Sequence, residues 1–170
     1  MLAHLPVTAA VLGWVALRRR AAWPVVRNTF VAAQCLTIAA NVAWPCAPPS
    51  RVGVADVTAS VWGERALEGA HALQSPFAAM PSGHVVFATV AGGALACLSP
   101  SRWLRAAGVM WPVLVVGITA ASGNHFWLDA VAAFAVVALA LGLALAPRVL
   151  SRTTPQGTRV DIPTPVSSWP

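Results

Sequence analysis

Two histidines in this chain stand at the start of apolar stretches, each within a short polar segment. His84 ends the segment 79–84, sequence AMPSGH, and His125 lies in the segment 122–129, sequence SGNHFWLD. If each apolar run crosses a membrane once, the run after His84 takes the chain to the opposite side, and the run at 106–121 brings it back. We therefore expect both imidazoles at the same depth and on the same side, where together they form a site.

A histidine and an aspartate are four residues apart in the second of these segments. His125 and Asp129 would lie on one face of a helix, with Cβ atoms about 5–6 Å apart. A carboxylate that accepts from one imidazole nitrogen leaves the other nitrogen basic, which is how the acid of a catalytic triad acts. The pair predicts that His125 is an activated nucleophile or base. The alternative is a structural hydrogen bond that closes a helix terminus.

The segment that leads into His84 is typical of a helix start that binds an anion. Pro81 is well tolerated there, Ser82 can present its hydroxyl and nearby amides, and Gly83 lets a ligand approach the backbone. The positive end of the helix dipole favours an anion such as phosphate. His84 would then reach an oxygen of that anion. The alternative is an ordinary helix start with a histidine at a membrane interface.

The composition places these residues in a membrane protein. Of the 170 residues, 58% are hydrophobic and only 9% are charged, whereas soluble domains have roughly 25% charged residues. Five apolar runs predict an all-α, polytopic transmembrane helix bundle with about five spans, some completed by interfacial residues because a full span needs ~20 residues. The runs cover residues 2–17, 29–47, 84–98, 106–121 and 128–146.

The arginines are divided unequally between the two sides that alternating spans define. One side carries only Arg51 and Arg65, set against three acidic residues. The positive-inside rule makes the other side cytoplasmic, so the site of this multi-pass cell-membrane protein faces outward, on the extracytoplasmic face. The net charge of +6 is then explained by the topology and by contact with anionic lipids of the bilayer. A nucleic-acid partner is not expected. The arginines on the cytoplasmic side are Arg18, Arg19, Arg20, Arg27, Arg102, Arg105, Arg148, Arg152 and Arg159.

Outside the predicted spans, two segments have distinct compositions. The outward loop 48–81 is the longest connection, and residues 56–73 within it suit a helix that lies on the membrane surface. Residues 151–170 are rich in Pro, Ser and Thr and are expected to form a disordered cytoplasmic tail. Residues 1–150 are expected to form a single integral-membrane domain.

The histidine segments resemble those of a known family. The segment 81–84, with His125 and Asp129 opening a later helix, resembles the second and third signatures of the type-2 phosphatidic acid phosphatase superfamily. The resemblance covers residues 27–143. It is closest to the inositolphosphotransferase branch, which includes inositol phosphorylceramide synthases, on three segments: 45–49, 76–82 and 123–125.

The resemblance implies a role for each site residue. His125 would attack phosphorus to form a phosphohistidine, Asp129 would orient it, and His84 would protonate the departing oxygen. Ser82 and the amide of Gly83 would hold phosphoryl oxygens. The family requires no metal and no cofactor, and none is expected here.

Two phosphate-binding cations of the superfamily are missing from this chain. The family's first signature has a lysine and an arginine before a proline, and this chain contains no lysine. The third signature begins with Ser-Arg, where this chain has Ile118 and Thr119. Arg51 is the best substitute as a phosphate-binding residue, and Arg65 could assist it. The superfamily core also usually has six spans, one more than the sequence predicts.

The sequence predicts an integral-membrane lipid phosphatase or phosphotransferase that acts through a covalent intermediate. The substrate is expected to be a phospholipid or a polyprenyl phosphate, because the site would open at the depth of lipid headgroups. Water as acceptor gives hydrolysis, and a polyol or a lipid alcohol gives transfer. Two alternatives stay open. One is a non-catalytic member whose degraded phosphate site serves structure or lipid binding; the other is a transporter or channel component, for which the chain offers no second set of intramembrane polar groups.

Overall fold

Six α-helices form the part of the molecule that the structure describes. The computed structural model describes residues 4–62 and 78–153, and within these ranges it contains no β-strand. A 3-10 turn, Pro49–Arg51, lies between the second and third helices. The all-α prediction is therefore confirmed. The helices are α1 (His4–Arg18), α2 (Trp23–Ala43), α3 (Val57–Trp62), α4 (Gly83–Leu98), α5 (Arg102–Ala121) and α6 (Trp127–Thr153).

The bounds of α2 differ from those of the predicted span 29–47, and two prolines explain the difference. The helix begins at Trp23 with Pro24 in its first turn, where the missing N–H leaves no helical hydrogen bond unmade. It ends just before Trp44, because Trp44 precedes Pro45 and the residue before a proline is driven out of the α region. As a result α2 lies further toward the arginine-rich end of the bundle than the apolar run predicts.

The central helix of the bundle is α4, which packs against α1, α2, α5 and α6. Its buried residues are valine, alanine and glycine. A Cβ added to Gly92 would collide with the carbonyl oxygen of Gly108 on α5, and a Cβ added to Gly108 would collide with that of Gly92. Small residues at such a contact let two helix backbones approach closely, as in many membrane helix pairs. One core cluster joins α4 to α2, α5 and α6, and a second joins it to α1.

Two of the described helices are long and apolar enough to cross a membrane: α5, and the part of α6 from Trp127 to Arg148. Only 17% of the apolar stretch of α5 and 28% of that of α6 is buried inside the molecule. Most of their apolar side chains are therefore exposed on the surface of the molecule, which suits helices surrounded by lipid. These features are consistent with a membrane protein. α1 and α4 are shorter apolar helices, and the count of five spans remains a prediction.

The directions of the long helices place His84 and His125, together with His4, at one end of the bundle. α1, α4 and α6 begin there, since the ring of His84 contacts both His4 and His125. α5 ends there, because its Thr119 carbonyl accepts from the backbone N–H of His125 at 3.1 Å. α2 also ends there, since the carbonyl of Cys46 just beyond it accepts from the N–H of Ala79 at 3.1 Å. Successive long helices thus run in alternating directions, as the apolar runs predict.

Some predictions fall on residues that the structure does not describe. α3 covers only the first part of the predicted surface helix at 56–73, and residues 63–77 lie outside the described ranges. The helix α6 continues to Thr153, and the rest of the predicted disordered tail, 154–170, also lies outside them. The surface helix, the tail and the single domain 1–150 therefore remain predictions.

Candidate active site

The starts of α4 and α6 are joined by a backbone hydrogen bond. Ser82 is the N-cap of α4, and its Oγ accepts from the backbone N–H of Val85 at 3.4 Å. The backbone N–H of Ser82 donates to the carbonyl of Asp129 at 3.2 Å. Ser82 is fully buried. This residue, which the sequence predicts to bind phosphate, therefore also fixes two helix starts relative to each other.

Asp129 lies in the first turn of α6, where the helix dipole favours a negative charge. Its Oδ2 accepts from the backbone N–H of Phe126 at 2.9 Å, which corresponds to the acidic half of a capping box. The residue is only 3% exposed. Burial of a carboxylate costs free energy unless hydrogen bonds compensate for the lost water. The hydrogen bonds of Asp129 provide this compensation and hold the carboxylate in one orientation. Asp129 is thus a fixed acceptor at the helix start.

His125 precedes α6, and its contacts select one tautomer. Nδ1 lies 3.0 Å from the carbonyl oxygen of Ala79 and 3.2 Å from Oδ2 of Asp129. The carbonyl and the carboxylate both accept hydrogen bonds, so Nδ1 carries the proton and donates. The neutral ring then has its lone pair on Nε2. Nε2 is therefore the nitrogen that can attack a substrate or abstract a proton.

The second residue of α4, His84, completes the arrangement. Its Nδ1 lies 3.3 Å from Nε2 of His125. Because that Nε2 holds the lone pair, Nδ1–H of His84 donates the hydrogen bond. The structure thus brings the three predicted catalytic residues into one hydrogen-bonded chain, from Asp129 through His125 to His84, although they come from two different helix starts.

The turn before His125 is held in place by the segment that follows α2. Gly123 has a φ of 75°, and a Cβ at this position would collide with the carbonyl oxygen of Ala55. The carbonyl of Gly123 accepts from the backbone N–H of Ser50 at 3.0 Å. Both the left-handed conformation and the close approach require glycine. Gly123 therefore positions His125 and brings the segment 50–55 next to the site.

Arg51, the predicted substitute for the missing cations, lies beside this contact. It ends the 3-10 turn and directly follows Ser50, which binds the turn at Gly123. Its side chain is exposed, and it makes no hydrogen bond or ion pair with the site histidines in the described part of the chain. The fold thus brings the segment that carries Arg51 to the site, without direct contact between its guanidinium and either ring. Arg65 lies outside the described residues.

Gly83, the first residue of α4, has open space beside it. A Cβ added at this position would meet nothing within 4 Å. Packing therefore does not require glycine here, and a ligand can approach the backbone at the helix start. Phosphate binding by Ser82, Gly83 and Arg51 remains a prediction.

A cavity of about 370 Å³ opens next to Asp129. Its walls come from the segment after α2, from the residues before α4 and from the start of α6. Asp129 is the charged residue in this lining, and the others are apolar. The lining consists of Cys46, Ala47, Val52, Met80, Phe126, Leu128 and Asp129.

A further histidine of this region, His4, was missed by the sequence analysis. Its ring packs against that of His84, with centroids 4.6 Å apart and an interplanar angle of 64°, and the residue is only 7% exposed. The signal in the sequence is its place at the start of the first apolar run. That place alone indicates no chemistry, since the contact with His84 depends on how α1 packs.

The fold and the site together define an all-helical protein in which two histidines and an aspartate meet at two helix starts. A family model described as the PAP2 superfamily matches residues 1–143, and the chain belongs to this superfamily. Its members are phosphatases and phosphotransferases, which supports this general kind of reaction. The match is at the level of the superfamily, so the inositolphosphotransferase branch is not shown by it. No curated protein and no solved structure matches the chain.

Proposed function

We propose that this protein is an integral-membrane phosphatase or phosphotransferase that acts on a lipid-linked phosphate through a phosphohistidine intermediate. The observation that carries the proposal is the hydrogen-bonded chain from Asp129 to His125 to His84. A buried acceptor fixes one nitrogen of His125, and a proton donor faces the other. This is the arrangement that nucleophilic catalysis with acid–base assistance requires.

In the first half-reaction the lone pair on Nε2 of His125 attacks phosphorus. The N–P bond forms, the P–O bond to the lipid alcohol breaks, and the leaving oxygen takes the electron pair and a proton from the imidazolium form of His84, which becomes neutral. In the second half-reaction a hydroxyl group or water attacks phosphorus, His84 accepts its proton, and the N–P bond breaks. Asp129 accepts from Nδ1 of His125 throughout and stabilises the charge that the ring acquires.

The direct contact between the two histidines opens when substrate binds. In an in-line displacement the leaving oxygen lies opposite the attacking nitrogen, so phosphorus must lie between Nε2 of His125 and the donor of His84. The phosphoryl group therefore replaces the 3.3 Å hydrogen bond between them. The open space beside Gly83 at the start of α4 gives room for phosphoryl oxygens next to the backbone amides of the first turn.

A lipid substrate is supported by the surroundings of the site. The apolar cavity next to Asp129 can take the part of a lipid closest to its phosphate, and the apolar surfaces of α5 and α6 suit a bilayer. A phospholipid and a polyprenyl phosphate both fit this description. The inositolphosphotransferase branch, with a polyol as acceptor, is proposed on the segments 45–49, 76–82 and 123–125 alone.

The proposal is tested with purified protein in detergent micelles or liposomes. We expect it to release the lipid alcohol from at least one member of a panel of phosphatidic acid, other phospholipids and polyprenyl phosphates. Vanadate should inhibit competitively, because its five-coordinate form resembles the phosphorane, whereas EDTA should leave the rate unchanged. If no lipid phosphate is turned over, and vanadate neither binds nor raises the melting temperature, the catalytic proposal fails.

A second candidate function is a non-catalytic one, in which the phosphate site serves only structure or lipid binding. Two observations favour it: the chain contains no lysine, and the guanidinium of Arg51 does not contact the histidines within the described residues. Developing charge on a phosphorane is normally stabilised by preorganised donors, which usually contribute the largest part of catalysis. The same assay separates the two functions, since a non-catalytic protein binds lipid phosphate without releasing alcohol.

We also propose that the site lies on the extracytoplasmic face of the cell membrane. The proposal is supported by Arg18 and Arg102, which lie at the bundle end opposite the histidines. In a variant without the three native cysteines, Val54→Cys should react with an impermeant thiol reagent in intact cells, and Ser101→Cys, at the start of α5, should react only after lysis. The reverse pattern would place the site in the cytoplasm.

A further inference from the structure

The general acid of the proposed reaction, His84, contacts two other histidine rings. Its Nδ1 faces His125, and the ring of His4 packs against it in an edge-to-face arrangement. His4 also contacts Phe87, one turn further along α4, with ring centroids 5.6 Å apart and an interplanar angle of 71°. The His4 ring thus lies against two consecutive aromatic rings on the same helix.

The helix that carries His4 is anchored to α4 along its length. The hydroxyl of Thr8 donates to the carbonyl of Phe87 at 3.4 Å. Further from the site, Val11 and Val15 pack in one cluster with small residues of α4. The position of His4 relative to His84 is therefore set by two packed helices, and both rings are largely shielded from solvent.

We propose that His4 is a positioning residue for His84, which it holds in the orientation that proton transfer requires. The inference rests on the proposed function, because it assigns a role to His84 in protonating the leaving oxygen. An imidazole turns about two side-chain torsions, and without the neighbouring His4 ring His84 could rotate away from the line between His125 and the leaving group. Edge-to-face packing restricts that rotation. Small errors in the placement of a reacting group can lower a rate about 100-fold.

The role predicts a different effect on two kinds of substrate. A lipid phosphate has an alkoxide leaving group that needs a proton, whereas p-nitrophenyl phosphate has a leaving group that departs without one. In His4→Ala we expect single turnover of phosphatidic acid, or of whichever lipid phosphate the wild type cleaves, to fall on the order of 10- to 100-fold. The burst of p-nitrophenol, which reports the first half-reaction, should stay close to the wild-type rate.

Three further variants make the test specific. His84→Ala should show the same dependence on the leaving group, and more strongly, because it removes the acid itself. His4→Phe keeps a planar ring that can pack edge-to-face, so it should recover most of the rate that His4→Ala loses. Thr8→Val loosens the contact between α1 and α4 one turn from His4. Because that contact helps to place the His4 ring, this variant should show the same dependence on the leaving group as His4→Ala, but less strongly.

The inference fails if His4→Ala slows both substrates to the same extent, if it slows neither, or if His4→Phe is as impaired as His4→Ala. In each of these cases the proposed function still stands, provided that the wild type is active and that the rate of His84→Ala depends on the leaving group. A wild type that cleaves neither substrate removes the proposed function, and the role of His4 with it.

Discussion

Replacement of His125 by alanine is expected to abolish turnover of every substrate, because it removes the proposed nucleophile. Asp129→Asn is expected to lower the rate by roughly 10⁴, as the loss of the orienting acid does in a catalytic triad. The carboxylate accepts from both His125 and the backbone of Phe126. Both bonds go to the same oxygen, Oδ2, so an asparagine that keeps its oxygen at this place retains them but lacks the negative charge that stabilises the charged ring. An asparagine in the flipped orientation presents its amide nitrogen instead, which favours the wrong tautomer of His125.

The control for this prediction is Asp56→Asn. Asp56 is also a carboxylate that accepts from a backbone N–H, that of Ala59 at 2.9 Å, but it lies at the start of α3 and not in the histidine chain. Its substitution should leave turnover unchanged. Circular dichroism and melting temperature should confirm that all three variants fold. A folded His125→Ala protein that retains turnover would contradict the mechanism.

Arg51→Ala is expected to cost about 3 kcal/mol or more in the reaction barrier, comparable to the removal of a strong oxyanion donor. The prediction follows from the charge of the site: the phosphorane has several negative oxygens, and the segment that carries the cation Arg51 is docked against the turn before His125. Binding of phosphate would draw the exposed guanidinium toward the histidines. Arg51→Lys should restore only part of the rate, since a point charge cannot reproduce bidentate contacts.

Arg20→Ala is the matched control for Arg51→Ala. Arg20 is also exposed, but it follows α1 at the end of the bundle opposite the site. Its loss should leave kcat and KM unchanged. Measured kcat/KM for the three variants tests the prediction, and a rate for Arg51→Ala equal to that of the wild type would show that this arginine does not bind the reacting phosphate.

The sequence contained enough information to predict which side chains form the hydrogen-bonded chain of the candidate site. The spacing of His125 and Asp129 predicted their contact, and the alternation of apolar runs predicted that His84 would lie at the same end of the bundle. Both signals depend on local periodicity, which is independent of how the helices pack. The all-helical fold follows from the same periodicity, and the exact ends of α2 were set by two prolines whose effect the apolar run concealed.

Contacts between distant segments could not be predicted in the same way. The tautomer of His125 depends on the carbonyl of Ala79, which is 46 residues away, and the place of its turn depends on the close approach of Ala55 to Gly123. His4 gained its neighbours only through the packing of α1 on α4. Residue types do not reveal which backbone carbonyl or which neighbouring helix will contact a side chain. A sequence pattern therefore predicts the side chains of the site, but not the atoms that hold them in place.

The most direct test of the account asks whether His125 carries the phosphoryl group during the reaction. The variant His84→Ala is mixed rapidly with p-nitrophenyl phosphate. The first step proceeds in this variant because the leaving group needs no acid, whereas the second step is slow because the attacking water lacks its base. The intermediate should therefore accumulate. The reaction is quenched in alkali, where phosphohistidine survives, and the peptide that contains His125 is analysed by mass spectrometry. We expect a burst of p-nitrophenol stoichiometric with the protein and a phosphoryl group on His125, and neither in the His84→Ala/His125→Ala double variant. Release of p-nitrophenol without a burst, or with the phosphoryl group on another residue, would contradict the account.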